Sequence, residues 1–449
     1  MFFYRKLYSH LLEWKNKPNR KPLIIRGARQ TGKSTLVQEF SKEFRYSINL
    51  NLEKKHHKKF FDNLDDIKDI INAIFLYTST PLSEEPTLIF IDEIQESPAA
   101  IKMLRYFYEE YPQLYVIAAG SLLEFALRTV PSFPVGRVEQ VVLHPFDFEE
   151  FLLALDRKDL VTELDKIPVN KYAHESILDL FHDYAIIGGM PEIVKRFAEQ
   201  KNMTNLSDIY RNLWQSYRDD VEKYASNATE RKIIRHIIDT APFEDDRITL
   251  NGFGKSAYRS REVGEALRSL DMARIIQLIY PSTVVKPPVS ANVTRKPRLQ
   301  FVDTGLLNYS AGHQAQMIGI HDLNDYSRGR IIQHLSAQQL QAQFISPLYK
   351  PLFWVREKAN SNAEVDLIFQ HGKYLIPIEI KSGSHGSLRS IHEFIKICDH
   401  KYAVRLLAND FSVESVKTPD GTPYLLMNLP YYASVKIPQY IKWFVGNNK

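Results

Sequence analysis

The sequence predicts an α/β fold built on a parallel sheet that cradles phosphates, and two segments carry that expectation. Residues 27–34 read Gly-Ala-Arg-Gln-Thr-Gly-Lys-Ser, a complete G-x-x-x-x-G-K-[ST] loop. The apolar run Leu23-Ile24-Ile25 leads into it and a helical pattern through Leu36, Val37 and Phe40 leaves it. Strand, glycine-rich loop and helix N-terminus together aim backbone N–H groups and a favourable field at an anion. The second segment, residues 88–95, reads Leu-Ile-Phe-Ile-Asp-Glu-Ile-Gln. Unbroken apolarity is the mark of a parallel strand buried on both faces, and ligands bind beyond the carboxyl ends of such strands.

From these the candidate site follows. Gly27, Ala28, Arg29, Gln30, Thr31, Gly32, Lys33, Ser34 and Thr35 form the expected ATP cradle. Lys33 suits the β- and γ-phosphates, and Ser34 and Asp92 suit Mg²⁺, the Walker A and Walker B roles. Glu93 suits the task of orienting or deprotonating the attacking water. Other elements fit the same layout. Phe3, Leu7, Leu11 and Trp14 give an N-terminal helix one apolar face, and strands are expected at 23–26, 46–52, 87–91, 114–119 and 138–143. Ser121 follows the fourth strand, where a polar residue contacts the γ-phosphate or caps the helix that Leu122, Leu123 and Phe125 suggest. Arg137, in Pro-Val-Gly-Arg ahead of the fifth strand, is either a transition-state cation or a solvated surface residue.

Composition narrows the class. With 449 residues, 44% apolar and 25% charged, the chain suits a soluble protein of two or three domains. No apolar run approaches the roughly 20 residues that span a bilayer. The first ten residues are broken by charge too early for a secretory leader. A single cysteine, Cys398, leaves no internal disulfide, so a reducing cytoplasm is expected. A net charge of +5 at this length names no partner.

Helical patterns dominate from Phe146 to about residue 240, and a winged-helix arrangement is expected next. Ile233, Ile234, Ile237 and Ile238 mark one helix, and Ser260 would cap a second over Arg261–Leu270. Residues 275–279 and 283–285 would form the wing. Arg259, Arg261 and Arg268 would meet DNA, or the region is a small helical lid. Farther on, Glu364-Val365-Asp366 closes a turn, and two strands follow around His371-Gly372. Asp366, then Glu379 13 residues later and Lys381 beyond it, has the D…(D/E)-x-K layout of restriction-endonuclease-like folds. Two carboxylates at strand ends would hold a divalent cation with the lysine on the same face.

Taken together, residues 19–36, Ile117–Glu124, Pro134–Arg137, Pro145–Phe151, Tyr184–Glu192, Arg218–Asp220 and Phe301–Leu307 resemble the bacterial and archaeal AAA-type ATPases. In these an AAA domain precedes a C-terminal domain of unknown function. The resemblance implies a P-loop NTPase core of the ASCE (additional-strand) type, Ser121 as sensor, Arg137 as a cis or trans arginine, and a PD-(D/E)XK nuclease-like C-terminal fold. Relatives carry acidic residues on the helix before the nuclease-like strands. Here Gly329–Leu340 places Gln333 and Gln339 at those positions, so the expected site is degenerate.

The expected architecture is therefore an AAA-type ATPase domain over 1–155, a helical and winged-helix-like region over 156–290, and a nuclease-like α/β domain over 291–449. The expected function is an ATP- and Mg²⁺-dependent switch whose residues 225–449 engage DNA or protein. No membrane is involved, and an oligomer is compatible with the pattern. The alternatives are an ATP-regulated metal-dependent nuclease and an ATP-binding module with negligible turnover.

Overall fold

A computed structural model describes residues 3–121, 123, 133–223, 225, 227–314, 330–356, 363–381 and 388–448. The chain divides into two compact units. One is Met1–His144 with Met272–Arg274 and Ile345–Leu348; the other is Pro145–Asp271, Ile275–Phe344 and Tyr349–Lys449.

In the first unit the order is α1 (Leu7–Asn16), β1 (Leu23–Arg26), α2 (Lys33–Phe40), β2 (Tyr46–Asn51), α3 (Lys55–Asp62), α4 (Ile67–Tyr77), β3 (Thr87–Asp92), α5 (Pro98–Glu110), β4 (Tyr115–Gly120) and β5 (Glu139–Val142). The strands form one parallel sheet in the order β2-β3-β4-β1-β5. They lie where the apolar runs predicted them. Alternation then sends the side chains of β1, β3 and β4 to two cores. Ile24, Ile89, Ile91 and Ala118 pack with Phe61 of α3, Ile70 and Ile74 of α4, and Leu104 and Phe107 of α5. Leu23, Ile25, Leu88, Phe90 and Ile117 pack with Leu11 and Trp14 of α1 and Leu36 and Phe40 of α2. Both faces of the central strands β1, β3 and β4 are covered, which is why these three read as apolar runs, while the edge strands β2 and β5 are only partly buried.

The second unit opens on helices: α6 (Phe148–Ala154), α7 (Lys158–Leu164), α8 (His174–Ile187), α9 (Pro191–Gln200), α10 (Ser207–Lys223), α11 (Ala228–Thr240) and α12 (Ser260–Met272). Asp147 starts α6 with a capping box, its carboxylate accepting from the Glu150 N–H at 2.9 Å. Then come β6 (Ile276–Ile279), β7 (Pro281–Ser282), β8 (Arg298–Phe301), α13 (Thr304–Ser310), α14 (Arg330–Ala342), β9 (Leu352–Val355), β10 (Glu364–His371), β11 (Tyr374–Ile380), α15 (Arg389–Ile395), β12 (Tyr402–Leu407), β13 (Ser412–Lys417), β14 (Pro423–Pro430) and α16 (Ile437–Asn447). The larger sheet runs β13-β14-β12-β11-β10-β9-β7 with mixed pairing. Phe394 of α15 packs on it against Trp354, Ile368 and Leu375.

Three expectations are corrected here. The expected pairing of 275–279 with 283–285 is absent: β6 pairs instead with β8, antiparallel from Ile276↔Phe301 to Ile279↔Arg298, and 283–285 forms no strand. Val284 and Val285 pack against the Trp354 core instead, and Pro287-Pro288, which lack ladder donors, follow. Ser260 is the first residue of α12 rather than its cap, and the Glu262 carboxylate reaches back to the Arg259 N–H at 3.1 Å. Glu364-Val365-Asp366 is no turn: these residues begin β10, with buried Val365 opposite Trp354.

Two motifs quoted for the family resemblance turn out to be one piece of architecture. Asp303, fully buried, accepts from the Gly189 N–H at 2.6 Å and the Leu306 N–H at 3.2 Å. A Cβ on Gly189 would lie 2.0 Å from the Phe146 carbonyl, and one on Gly305 2.0 Å from that of Ile187. Asn308 closes the joint by donating to the Ala185 and Ile186 carbonyls. The glycines of Ile-Ile-Gly-Gly-Met-Pro and Val-Asp-Thr-Gly-Leu-Leu let two backbones touch. Among the described residues, no helix is long and apolar enough to cross a membrane.

Candidate nucleotide site and a second acidic cluster

The P-loop spans the step from β1 to α2. Gly32 sits at φ 91° before Lys33, a left-handed position that glycine adopts without strain. Lys33 is buried and folds back over its own loop, its Nζ donating to the Gly27 carbonyl at 3.0 Å and to that of Ala28 at 2.8 Å. Thr31 donates to the Ala28 carbonyl at 3.0 Å. Behind the loop stands a residue that sequence reasoning missed. Arg5 is buried and donates to the carbonyls of Thr31 at 2.8 Å and His144 at 2.6 Å. No local spacing marks Arg5, because its partners lie 26 and 139 residues away.

β4 lies between β1, which feeds the loop, and β3, which ends in Asp92. Both strands end at the same edge, and the Ser34 hydroxyl donates to Asp92 Oδ2 at 2.7 Å. Burial pushes the Asp92 carboxyl above its usual range and Glu93's charge adds to this, while the Ser34 hydrogen bond and Lys33 oppose it. A hydroxyl and a carboxylate already face to face are the oxygen donors a hard cation takes, so these residues fit Mg²⁺.

Glu93 turns the chain out of β3 at φ 52°, ψ 46°, a conformation that costs a non-glycine residue about 1–3 kcal/mol. Its Oε2 accepts from Gln95 Nε2 at 2.5 Å. Gln95 in turn lies against the end of β4, where a Cβ on Gly120 would meet its Oε1 at 2.2 Å. Ser121, buried, comes next in the chain, at the edge that carries Asp92. The helix expected behind it falls on Leu122 and residues 124–132, outside the described residues.

Arg137 is elsewhere. It pairs with Glu109, at the end of α5, at 2.7 Å and precedes β5, whose Glu139 lies beside Leu23 at the start of β1. The P-loop begins past the other end, level with Val142. Along β5 alone, Glu139 to Val142 is three steps of about 3.3 Å, roughly 10 Å, before the turn that holds Arg137 is counted. In this arrangement the Arg137 side chain is held by Glu109, at the end of β5 away from the P-loop of its own chain.

The second unit holds the other constellation. β10 and β11 are antiparallel neighbours, with Asp366 on the first and Glu379 on the second. Glu379 is buried; one oxygen pairs with Lys381 Nζ at 2.5 Å and the other has no hydrogen-bond partner among the described residues. Burial, then Asp366's charge, pushes the Glu379 carboxyl up to about 8 against the pull of Lys381. Gln333 points at Asp366, its Nε2 donating to Oδ1 at 2.7 Å. Gln339 does not. It is buried, accepting from the Phe148 N–H at 2.8 Å and donating to the Tyr184 hydroxyl at 2.9 Å, so it serves the start of α6. Gly329, where that helix motif starts, lies outside the described residues.

Asp366 meets donors on every side: Gln333, the Ile380 N–H at 2.8 Å on Oδ2, and the Arg298 guanidinium at 3.5 Å. Among the described residues no cluster of three or more His, Cys, Asp or Glu could hold a metal ion. The donor set does not fit a divalent cation.

Residues 19–152 match the family model described as AAA domain. Residues 178–317 and 328–423 match two families described as domains of unknown function, DUF8612 and DUF4143. No curated protein matches the chain. Among solved structures, the Walker-type ATPase of Pyrococcus abyssi is 14% identical, with a TM-score of 0.44, over 69% of this chain and 96% of that one. The Aeropyrum pernix ORC1 protein in complex with DNA is 14% identical, with a TM-score of 0.28, over 70% and 93%. Drosophila ORC bound to DNA is 12% identical, with a TM-score of 0.29, over 69% and 95%. Likeness at this level leaves the assignment on the AAA-domain match and on the site itself: the first unit carries an AAA-type P-loop domain.

Proposed function

We propose that the chain binds ATP with Mg²⁺ at the P-loop and hydrolyses it, acting as a switch whose C-terminal part engages a DNA or protein partner. The observation that carries this reading is the 2.7 Å contact of Ser34 with Asp92 at the edge where the P-loop begins. Ser34 and Asp92 would hold Mg²⁺, which would supply positive charge against the phosphates. Lys33 exchanges its loop carbonyls for the β- and γ-phosphates, and the backbone from Gly27 to Thr35 wraps them. Glu93 accepts a proton from the attacking water, with Ser121 beside the γ-phosphate. Arg137, on the far edge, acts only on the nucleotide of a second copy.

The alternative of an ATP-regulated nuclease has Asp366 and Glu379 on neighbouring strands with Lys381 close by, but the donors that surround Asp366 weigh against the divalent cation it needs. ATP turnover measured alone and with added DNA, beside a cleavage assay in Mg²⁺ and Mn²⁺, separates the two. Turnover without cleavage supports the switch; metal-dependent cleavage supports the nuclease; absence of turnover under all conditions removes hydrolysis from the account.

A further inference from the structure

The carboxylates around Asp366 already share a cation, and the chain supplies it. Arg298, at the start of β8, is buried to 8% exposure. Its Nε lies 2.7 Å from Asp246, its Nη2 contacts Glu364 and lies 3.5 Å from Asp366 Oδ1, and its Nη1 donates to the Asp366 carbonyl at 2.8 Å. The guanidinium carbon lies over the Phe353 ring, 4.1 Å from its centre. Arg247 takes the other oxygen of Glu364 at 3.0 Å. Beside this group opens a cleft of about 420 Å³, solvent mouth included, lined by Asp246, Arg298, Arg330, Gln333, Phe353 and Asp366 among others.

A guanidinium is planar, stays charged at any workable pH and offers five donors but no lone pair. It can bind three acidic residues at once, as an ion would, yet it cannot ligate one. For a divalent cation to enter, Arg298 must lose its partners while remaining buried, which is far more costly than displacing water. The Gln333 amide and the Ile380 N–H are likewise donors toward Asp366.

We infer that Arg298 is the resident cation of this cluster: its guanidinium takes the place of a divalent ion, closes the site to metal, and clamps the Asp246 segment, β8 and β10 together. This rests on reading Asp366, Glu379 and Lys381 as a nuclease-like constellation, and it assigns that constellation a structural rather than a hydrolytic role.

The test is Mn²⁺ titration of the full chain without nucleotide, followed by the paramagnetic resonance of the free ion. Wild type and Asp366→Asn take up the same amount of Mn²⁺, and Gln333→Glu alone adds none. Arg298→Met combined with Gln333→Glu gains about one ion per chain, and Asp366→Asn in that background removes it, because a hard cation needs the freed carboxylate oxygens. The inference is overturned by wild-type uptake that Asp366→Asn abolishes, by a gain in Gln333→Glu with Arg298 in place, or by a folded double variant that binds no Asp366-dependent ion. Should the double variant not fold, the wild-type, Asp366→Asn and Gln333→Glu titrations still decide. Nucleotide binding is absent from this assay, so failure of the ATP reading, seen in the affinity of Lys33→Ala for ATP, stays distinguishable.

Discussion

At the edge of the N-terminal sheet Asp92 accepts from the Ser34 hydroxyl and from the Glu93 N–H at 3.1 Å. In the C-terminal unit Asp366 accepts from the Gln333 amide and the Ile380 N–H and lies beside the Arg298 guanidinium. Each is an aspartate on a strand, with a glutamate and a lysine close to it in the chain or the fold. The difference lies in what the donors can become. A serine hydroxyl rotates and presents a lone pair, so the group that holds Asp92 can join it as a ligand. A guanidinium and a strand N–H cannot. Acidic residues at strand ends thus identify a metal site only together with the chemistry of their present partners.

The largest effect that sharpens this contrast is expected at Lys33. Lys33→Ala removes the cation proposed to face the β- and γ-phosphates, and the dissociation constant for ATP should rise at least about 100-fold, close to 3 kcal/mol. Wild-type affinity in a titration with a fluorescent ATP analogue would refute the P-loop reading.

Asp303 extends the comparison to a buried carboxylate held by backbone N–H groups. Burial pushes its carboxyl up to about 6, against the opposing hydrogen bonds from Gly189, Leu306 and Gly305. Raised above the ordinary 3.8, the protonated form is favoured in the fold. Its stabilising contribution is complete below about pH 4 and is lost as pH rises through about 6. The unfolding free energy of wild type relative to Asp303→Asn should therefore fall by up to about 3 kcal/mol across that window. A difference independent of pH, measured by urea unfolding at pH 4, 5, 6 and 7, contradicts it.

The smallest effect is expected at Arg137. With its side chain on Glu109 at the opposite edge of the sheet, Arg137→Ala should leave turnover of dilute, monomeric protein within about twofold of wild type. A large loss that persists on dilution to monomer would return the residue to the cis site.

What the sequence made legible follows from range. The central strands β1, β3 and β4 could be read because each is a short apolar run buried on both faces, the edge strands β2 and β5 from their half-buried patterns between helices, and the P-loop because its chemistry sits in eight consecutive residues. Asp92 and Glu93 were legible from their place after such a run. Arg5, Arg298 and the true role of Gln339 were not. Arg5 reaches His144, Arg298 reaches Asp366, and Gln339 reaches Phe148, and nothing in local periodicity encodes those pairings. The wing failed for a related reason. Thr283-Val284-Val285 has the composition of a strand, but its apolar side chains pack on a core formed by residues far along the chain. The family resemblance pointed both Gln333 and Gln339 at the acidic cluster; Gln333 does donate to Asp366, whereas Gln339, six residues on, bonds to Phe148 and Tyr184.

The central claim, that the convertible site is the hydrolytic one, is tested most directly by ATP binding and turnover of Glu93→Gln beside wild type. The amide keeps the shape of Glu93 but cannot take the proton of the attacking water. The account predicts ATP affinity within about threefold of wild type and turnover reduced by about 100-fold or more. Undiminished turnover in that variant would contradict it and move the catalytic role to Gln95 or Ser121.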